Sequence, residues 1–585
     1  MTLNRSQILT ASMLVLVAFL AWYSAGLAAI RLYQVDECQN IYMARILATG
    51  QTHEFFTNAS LFLFGPLSWI TRHATQSTEV FNTARLLFLG VFWLNLCLLA
   101  GIASGRLLST RGLIALAAAA SLAPLWDYGF EIRHDNLVLT GVLVTWWTVR
   151  VRPKGLFSYV LAGAIAPALL FLAVKSVVYV LPLSLAILAF PPVEHGQGRL
   201  RLAGAWAVGA VLAVLLIRLV YGANGLWEIY LSVFSGVTQY SAHKDGSDAA
   251  SHFWPWATLG RLLAQTPLLV ALATAGMISA IGVLVRRGRV ALNWNGLLPE
   301  VLLCVGALAA VLVNPTPFPY NLVHVVPYGF ILAFRYGSGL GADLWACRGL
   351  RPVLVTVLVF AHVVPFTTAT LRHSNFTNFR QERLMRLAED LTDPTKDAVY
   401  DGAGLVPTRR SIHFQWYLHS TIIQKFIDGP FPSIREQLSA RPAPVFIPNY
   451  RTDWLPEADR EFVRGHYVSL ADDFWVLGAL LPEGGGTFKT TYPGRYRISS
   501  VEGSDLAGTY PEGLEGMRTP EAPGVLAAKL DGEPLARQTI DLAAGQHRIE
   551  SPPDRKVAVV WTGPKLERIH RVAPGDHRWL FVNWY

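Results

Sequence analysis

The sequence is poor in charged residues. Of its 585 residues, 15% are Asp, Glu, Lys or Arg, whereas 52% are hydrophobic, and the mean hydropathy is +0.36. Soluble globular domains carry about 25% charged residues. The shortage of charge therefore excludes an ordinary soluble protein and indicates an integral membrane protein.

Cysteine is also scarce. The four cysteines are scattered, at Cys38, Cys97, Cys304 and Cys347. This spacing favours neither a disulfide framework nor a zinc site. Because the sequence shows no His/Asp cluster at ligand spacing either, we predict no cofactor, although a divalent ion between a carboxylate and a phosphate is compatible with the site described below.

Apolar runs of about 17–25 residues, long enough to cross a bilayer, are abundant. They occur at 8–30, 86–104, 112–130, 136–150, 157–174, 176–192, 202–221, 259–284, 297–313, 322–338 and 352–371. The first run is also compatible with a signal peptide, because small residues lie near its end. Both interpretations place the loop that follows it outside the cytoplasm.

Lys and Arg in the short loops predict the orientation, because cytoplasmic loops carry an excess of both. With the N-terminus in the cytoplasm, every inner loop contains basic residues: Arg106 and Arg111; Arg150, Arg152 and Lys154; Arg199 and Arg201; Arg286, Arg287 and Arg289; Arg335, Arg348 and Arg351. The net charge of +9 is attributed to these loops, and we predict no nucleic-acid partner. The loop at residue 36, the loop 223–257 and the chain after residue 372 are then extracytoplasmic.

The composition changes after the last apolar run. Alternating helical and strand patterns predict an α/β domain over 376–483, and an all-β pattern after the Gly484-Gly485-Gly486 linker predicts a β-sandwich over 484–585. The predicted fold is therefore an α-helical polytopic membrane domain, residues 1–375, followed by an extracytoplasmic α/β plus β-sandwich region.

Polar groups at membrane depth occur in five outer segments, and such groups usually have a function. They are Asp36-Glu37 before an interfacial helix, Arg85 in the second span, Arg133-His134-Asp135 before the fourth span, Lys175 between the fifth and sixth spans, and Tyr320 with His324 near the tenth span. A carboxylate can accept a proton from an attacking hydroxyl. A cation can stabilise a phosphate leaving group.

The order of these motifs resembles the GT-C superfamily of polyprenyl-phosphate-dependent glycosyltransferases. The Asp-Glu pair after the first span, the interfacial helix, the Arg of span two and the Arg133-His134-Asp135 signature carry the resemblance, over roughly residues 1–375. Within the superfamily the chain is similar to bacterial relatives of the protein O-mannosyltransferases, glycosyltransferase family 39, and of the lipid A aminoarabinose transferase. Arg-His-Asp instead of the commoner Arg-Pro-Asp, and the C-terminal β-domain, depart from the family pattern.

The resemblance implies an inverting transferase of the bacterial inner membrane that moves a sugar from a polyprenyl-phosphate donor to an acceptor hydroxyl on the periplasmic side. The acceptor is a glycan, a lipid or a protein. The implied roles are Asp36 as general base, Glu37 orienting the acceptor or the base, and Arg85, Arg133, Asp135 and Lys175 in the donor and lipid-phosphate pocket. From their place in the outer polar segments, we predict His134, Tyr320 and His324 in the substrate pocket.

Each role has a structural alternative. Asp36 and Gln39 fit a helix capping box, Glu37 a solvated loop charge, and Arg133 with Asp135 an ion pair between spans. Lys175 and Arg85 can extend to the headgroups, and both histidines can be hydrogen-bonded structural residues.

Two further functions remain open at this stage, a lipid or glycan flippase or transporter and a non-catalytic envelope-assembly protein. A carrier needs a site near the midplane, whereas these polar groups lie at one face. The outer loop 221–256, rich in Trp and Tyr, is either an interfacial anchor or a lid over the donor.

Overall fold

The structure is a computed structural model. It describes residues 5–52, 55, 60–151, 155–189, 198–232, 249–287, 298–313, 318–337, 343–412, 416–419, 423, 426–429, 431–471, 473–501, 527–563 and 577–581. Much of the predicted lid, residues 233–248, and part of the segment before Tyr320, residues 314–317, lie outside these ranges.

Within residues 1–375, the described part of the chain is mainly helical. The helices are α1 (Arg5–Ile30), α2 (Val35–Thr49), α3 (Leu61–His73), α4 (Ser77–Ser104), α5 (Thr110–Ala119), α6 (Ala123–Tyr128), α7 (His134–Trp146), α8 (Leu156–Leu172), α9 (Val177–Ala189), α10 (Arg199–Ala223), α11 (Ala249–Gln265), α12 (Pro267–Arg287), α13 (Leu298–Val313), α14 (Leu322–Leu332), α15 (Arg351–Leu358) and α16 (Val364–Asn375). Short π-helical turns extend α7 and α14 and join α15 to α16.

Apolar helices are present at all eleven predicted positions, which agrees with the predicted fold class. Among the described residues, four helices are long and apolar enough to cross a membrane by themselves: Ser6–Ile30, Ser77–Ser104, Arg199–Ala223 and Arg348–Asn375. The other predicted spans are shorter or broken helices. The pattern is that of a polytopic membrane domain.

Two predicted spans are not continuous helices: 112–130 is interrupted between α5 and α6, and 259–284 is sharply bent. The run 259–284 is divided between α11 and α12, which bend by 101° at Thr266. Pro267 starts α12, and the residue before a proline is disfavoured in the helical conformation. The pair is therefore a broken span or a re-entrant segment.

Two glycines allow close packing of α8 against α10. A Cβ atom on Gly163 would lie 1.9 Å from the Trp206 carbonyl oxygen, and one on Gly209 would lie 1.9 Å from the Val160 carbonyl oxygen. Small residues at such crossings let the two backbones approach, which is a common way of packing helices in membranes.

The C-terminal region contains the helices α17 (Phe379–Leu391), α18 (Ile434–Ala440) and α19 (Glu457–His466). Its strands are β1 (Val399–Tyr400), β2 (Val445–Phe446), β3 (Tyr467–Ala471), β4 (Phe474–Leu481), β5 (Gly485–Thr490), β6 (Gly494–Val501), β7 (Lys529–Leu530), β8 (Glu533–Pro534), β9 (Thr539–Leu542), β10 (Gly545–Glu550) and β11 (Lys556–Trp561).

These strands form two sheets. The seven-stranded sheet has the order β1-β2-β4-β11-β6-β9, with β3 also paired to β4, and the four-stranded sheet has the order β5-β10-β7-β8. β1 and β2 are parallel, whereas the other pairs are antiparallel. The larger sheet takes strands from both sides of residue 484, so the boundary predicted there does not separate two sheets, and Gly485 begins a strand.

The C-terminal region is attached to the start of the membrane domain. The Leu32 N–H donates to the Phe376 carbonyl (3.0 Å), and the Asn378 N–H donates to the Ile30 carbonyl (2.8 Å). Farther along the chain, the Ser411 N–H donates to the Tyr42 hydroxyl (2.8 Å) on α2. The C-terminal region therefore contacts the connection between α1 and α2 and also α2, whose first turn carries Asp36 and Glu37.

Candidate active site

The two carboxylates of the Asp-Glu pair lie in the first turn of α2. The N-cap of this helix is Gln34, and its N–H donates to Glu37 Oε2 (2.9 Å). The alternative of a capping box between Asp36 and Gln39 is therefore wrong, because the helix begins one residue before Asp36. The Glu37 side chain caps the helix, so the Asp36 side chain is available for other contacts.

Glu37 and Arg85 form a buried ion pair. Arg85 donates from Nη2 to Glu37 Oε2 (2.7 Å) and from Nε to Glu37 Oε1 (3.1 Å), and the side chains are 2% and 0% exposed. Arg85 also donates to the carbonyls of Ala28 (3.3 Å), Arg31 and Leu32 (2.8 Å). Arg85 was predicted to face a lipid phosphate, but in this structure its guanidinium ties α4 to the end of α1.

Asp36 has a different environment. Its carboxylate is 25% exposed and pairs with Arg133, and the Tyr417 hydroxyl donates to Oδ1 (3.3 Å). Burial raises the pKa of the Asp36 carboxyl, but the charges of Arg133 and Arg451 and the hydrogen bonds from Arg133 and Tyr417 lower it below its ordinary value. Asp36 is therefore ionised at neutral pH.

Arg133, Asp135 and Lys175 extend this site as a chain of alternating charges. Arg133 Nε lies 3.3 Å from Asp135 Oδ2, and Lys175 Nζ lies 2.7 Å from Asp135 Oδ1. The Tyr320 ring lies beneath both cations, 3.8 Å from Arg133 Cζ and 4.7 Å from Lys175 Nζ. Lys175 is 41% exposed, so it can contact a ligand while it remains paired.

The two candidate histidines differ in position. His134 Nε2 lies 3.6 Å from Asp135 Oδ2, and its side chain is 25% exposed. His324 is buried and stacks on the Tyr179 ring at 4.1 Å, 3.5 Å from the Tyr328 hydroxyl. His134 therefore lies at the edge of the site, and His324 packs behind it.

The structure thus divides the predicted residues into two groups. Asp36, Arg133, His134, Asp135, Lys175 and Tyr320 form a continuous cluster, which we call the Asp36 cluster. Glu37, Arg85 and His324 lie behind it. The Asp36 cluster contains one partly exposed carboxylate and one half-exposed amine, the groups needed for proton abstraction and for anion binding.

Sequence reasoning missed residues of the C-terminal region. Tyr417 contacts Asp36 directly, and the charge of Arg451 acts on the same carboxylate. Neither residue lies in a motif or next to an apolar run, and 381 positions separate Tyr417 from Asp36. No signal in the sequence could have found them.

A second buried carboxylate, Asp127 on α6, lies in the same outer segment as Arg133, but the sequence predicted no role for it. It accepts from Gln265 (2.7 Å), Arg372 (3.1 Å) and His373 (2.6 Å), and Arg261 lies 3.5 Å away. These partners come from α11 and α16. Asp127 therefore joins three helices that are distant in sequence.

Two arginines predicted on the inner face contact a different carboxylate, Glu300. Glu300 at the start of α13 is buried and pairs with Arg150 and with Arg335 (2.6 Å). Both arginines were predicted in inner loops, and neither belongs to the Asp36 cluster. Within the part of the chain that the structure describes, no group of three or more His, Cys, Asp or Glu could hold a metal ion.

Comparison with known proteins identifies a similar fold. No protein-family model matches the chain, and no curated protein matches it. The crystal structure of ArnT from Cupriavidus metallidurans in the apo state matches with a TM-score of 0.50 and 16% identity, covering 80% of this chain and 98% of that one. At this level of identity the likeness shows the fold alone, and it confirms the predicted GT-C-like fold class.

Two structures of an Archaeoglobus fulgidus oligosaccharyltransferase are more distant. The complex with Zn and sulfate has a TM-score of 0.42 and covers 78% of this chain and 71% of that one, and the apo form has a TM-score of 0.44 and covers 78% and 73%. Both are 12% identical to this chain. At these scores the similarity supports no functional comparison.

Proposed function

We propose that the protein is a membrane glycosyltransferase that moves a sugar from a polyprenyl-phosphate donor to an acceptor hydroxyl on the outer, periplasmic side of the bacterial inner membrane. The observation that carries this proposal is the environment of Asp36. It is the partly exposed member of the Asp-Glu pair, it is ionised, and it pairs with Arg133, which shares Asp135 with Lys175, on a GT-C-like fold.

In the proposed reaction, Asp36 accepts the proton of the acceptor hydroxyl as the oxygen attacks the anomeric carbon. The new carbon–oxygen bond forms while the bond from the anomeric carbon to the phosphate oxygen breaks, and polyprenyl phosphate leaves with the bonding electrons. Because this is a single displacement from the opposite side, the anomeric configuration inverts.

The two cations of the Asp36 cluster act on the leaving phosphate in this proposal. Arg133 and Lys175 stabilise the negative charge that develops on the leaving phosphate, because positive groups fixed in a site of low dielectric act strongly on developing charge. Asp135 holds both cations in place through contacts of 3.3 and 2.7 Å. The Tyr320 ring packs against both cations.

The membrane placement belongs to the same proposal. The N-terminus is cytoplasmic and the C-terminal region periplasmic, as the distribution of Lys and Arg predicts. Two sets of contacts support this placement. Asp36, Arg133, Asp135 and Lys175 form one set, predicted on the periplasmic side. Glu300 with Arg150 and Arg335 forms the other, and both arginines are predicted on the cytoplasmic side.

Asp36→Asn tests the reaction. We expect a loss of turnover of about 100- to 10,000-fold, because this is the usual contribution of a general base. The assay measures release of undecaprenyl phosphate from radiolabelled undecaprenyl-phosphate sugars by purified protein in detergent, where vectorial transport has no meaning. Since the pKa of Asp36 is lowered, wild-type turnover should keep this base as the pH falls and lose it only below the range in which an ordinary Asp carboxyl titrates.

Asp541→Asn is the matched control, because Asp541 is 79% exposed on β9 and its replacement should leave turnover unchanged. Turnover by a folded Asp36→Asn protein equal to the wild type would refute the base. If the wild type turns over no donor with any of the glycan, lipid and protein acceptors offered, the transferase itself is refuted and the flippase alternative is favoured.

A further inference from the structure

Tyr417 of the C-terminal region contacts the Asp36 cluster directly. Its hydroxyl donates to Asp36 Oδ1 (3.3 Å), whereas Arg133 binds Oδ2. The two carboxylate oxygens thus have donors from different parts of the molecule, one from the membrane domain and one from the C-terminal region. Together these contacts fix the rotation of the Asp36 carboxylate about its side-chain bonds.

Tyr417 is itself held rigidly. The Arg451 guanidinium lies over the Tyr417 ring at 4.8 Å and over the rings of Tyr450 and Trp454 at 5.6 and 5.1 Å. Arg451 also donates to the Leu418 carbonyl and to the Tyr450 hydroxyl (3.1 Å). A guanidinium over aromatic faces is attracted by their negative charge density, so Arg451 restrains the Tyr417 ring.

The neighbouring residues seat this segment on α2. The Trp416 ring lies 4.3 Å from the Tyr42 ring, and the Tyr42 hydroxyl accepts from the Ser411 N–H (2.8 Å). Gly404 also packs against Tyr42, with no room for a side chain: a Cβ there would lie 2.7 Å from Tyr42 Cβ. Asp36 and Tyr42 are both on α2, so the segment that carries Tyr417 is aligned with the helix that carries the carboxylate.

We propose that Tyr417 is a positioning residue for Asp36, held by Arg451, so that the C-terminal region completes the transferase site. This inference rests on the proposed function. Without the Tyr417 hydroxyl, Asp36 is free to turn toward Arg133 and bind it through both oxygens, away from the acceptor hydroxyl. The phenol keeps its proton because burial raises its pKa well above the ordinary value, so it acts as a permanent donor.

Tyr417→Phe removes the hydroxyl and keeps the ring between Asp36 and Arg451. We expect the maximal rate of donor turnover to fall about 10- to 100-fold, the range of a hydrogen bond to a charged group. The KM for the undecaprenyl-phosphate sugar, and the affinity for undecaprenyl phosphate as a probe, should change by less than about twofold because the cations of the Asp36 cluster remain. The full chain in lipid nanodiscs is used throughout.

Tyr467→Phe is the matched control. Tyr467 is in the same C-terminal region and its buried hydroxyl donates to the Ala443 carbonyl (2.8 Å), so it loses a comparable hydrogen bond without contact to Asp36. Its thermal midpoint should fall at least as far as that of Tyr417→Phe while its rate stays within about twofold of the wild type. An unchanged rate in Tyr417→Phe, or an equal loss in both variants, overturns the proposal.

A spectroscopic measurement separates this proposal from the proposed function. With 3-fluorotyrosine at position 417, the ¹⁹F resonance should shift when Asp36→Asn is introduced, and the same label at position 467 should not respond. If the wild type transfers no sugar but the resonance shifts, the transferase fails and the positioning contact stands. If the resonance does not respond to Asp36→Asn, the contact is refuted even in an active enzyme.

Discussion

The buried pair of Glu37 and Arg85 gives the sharpest test of how the Asp-Glu motif is divided between chemistry and stability. Both side chains are excluded from water, at 0% and 2% exposure. Breaking a buried ion pair by removing one partner typically costs about 3–5 kcal/mol, because a charge is left without compensation. We expect this loss for Glu37→Gln.

The structure predicts a larger loss for Arg85→Met. This change removes the partner of Glu37 and also the donors to three carbonyls, those of Ala28, Arg31 and Leu32. Each carbonyl that stays buried without a donor adds about 1–3 kcal/mol. The double variant Glu37→Gln/Arg85→Met should cost less than the sum of the single changes, because the second change removes the charge that the first leaves unpaired.

The assay is thermal and denaturant unfolding of the detergent-solubilised protein, with donor turnover measured on the folded fraction. Glu457→Gln is the control, because it affects an exposed pair with Arg464 (2.9 Å), and such pairs contribute about 0–1 kcal/mol. A Glu37→Gln protein as stable as the wild type but unable to turn over donor would refute this reasoning and support the catalytic role that the sequence suggested for Glu37.

Two further predictions concern the cations and the helix packing. Lys175→Met should weaken binding of undecaprenyl phosphate at least tenfold, because it removes the half-exposed amine 2.7 Å from Asp135. The affinity is measured by ligand-induced thermal stabilisation. A variant that binds undecaprenyl phosphate as tightly as the wild type would exclude Lys175 from the phosphate site. Gly209→Ala should lower the thermal midpoint of unfolding, because the added Cβ would lie 1.9 Å from the Val160 carbonyl oxygen. Gly222→Ala on the same helix is the control, because a Cβ there meets nothing within 4 Å. Equal midpoints for the two variants would refute the close packing of α8 and α10.

The sequence predicted the positions of the apolar helices because hydropathy depends only on composition within a window. The same property explains its failure at Thr266. Apolar residues continue from α11 through Pro267 into α12, so the window reports one span where the backbone bends by 101°. A bend of this kind depends on local backbone geometry, which an average over residues does not detect.

Topology predicted that Asp36, Arg133, Asp135 and Lys175 share one face of the membrane, and they do meet. Topology alone does not pair residues within that face. Arg85 was expected beside the lipid phosphate, yet it reaches a carboxylate 48 positions away. Tyr417 enters the site only because the C-terminal region docks on α2, and docking depends on surface complementarity that no local pattern encodes.

The difference between the two adjacent carboxylates follows from the geometry of a helix. Successive residues in an α-helix point about 100° apart, since one turn holds 3.6 residues. At the start of α2, Glu37 occupies the third helical position, from which a side chain reaches back to the N-cap N–H, and this direction leads into the protein toward Arg85. Asp36, one residue earlier, must then point elsewhere, toward Arg133 and Tyr417. The Asp-Glu pair thus supplies one buried carboxylate, Glu37, which joins α2 to α4, and one partly exposed carboxylate, Asp36, on the same helical turn. Because the Glu37–Arg85 ion pair holds this turn in place, it also determines the position of Asp36.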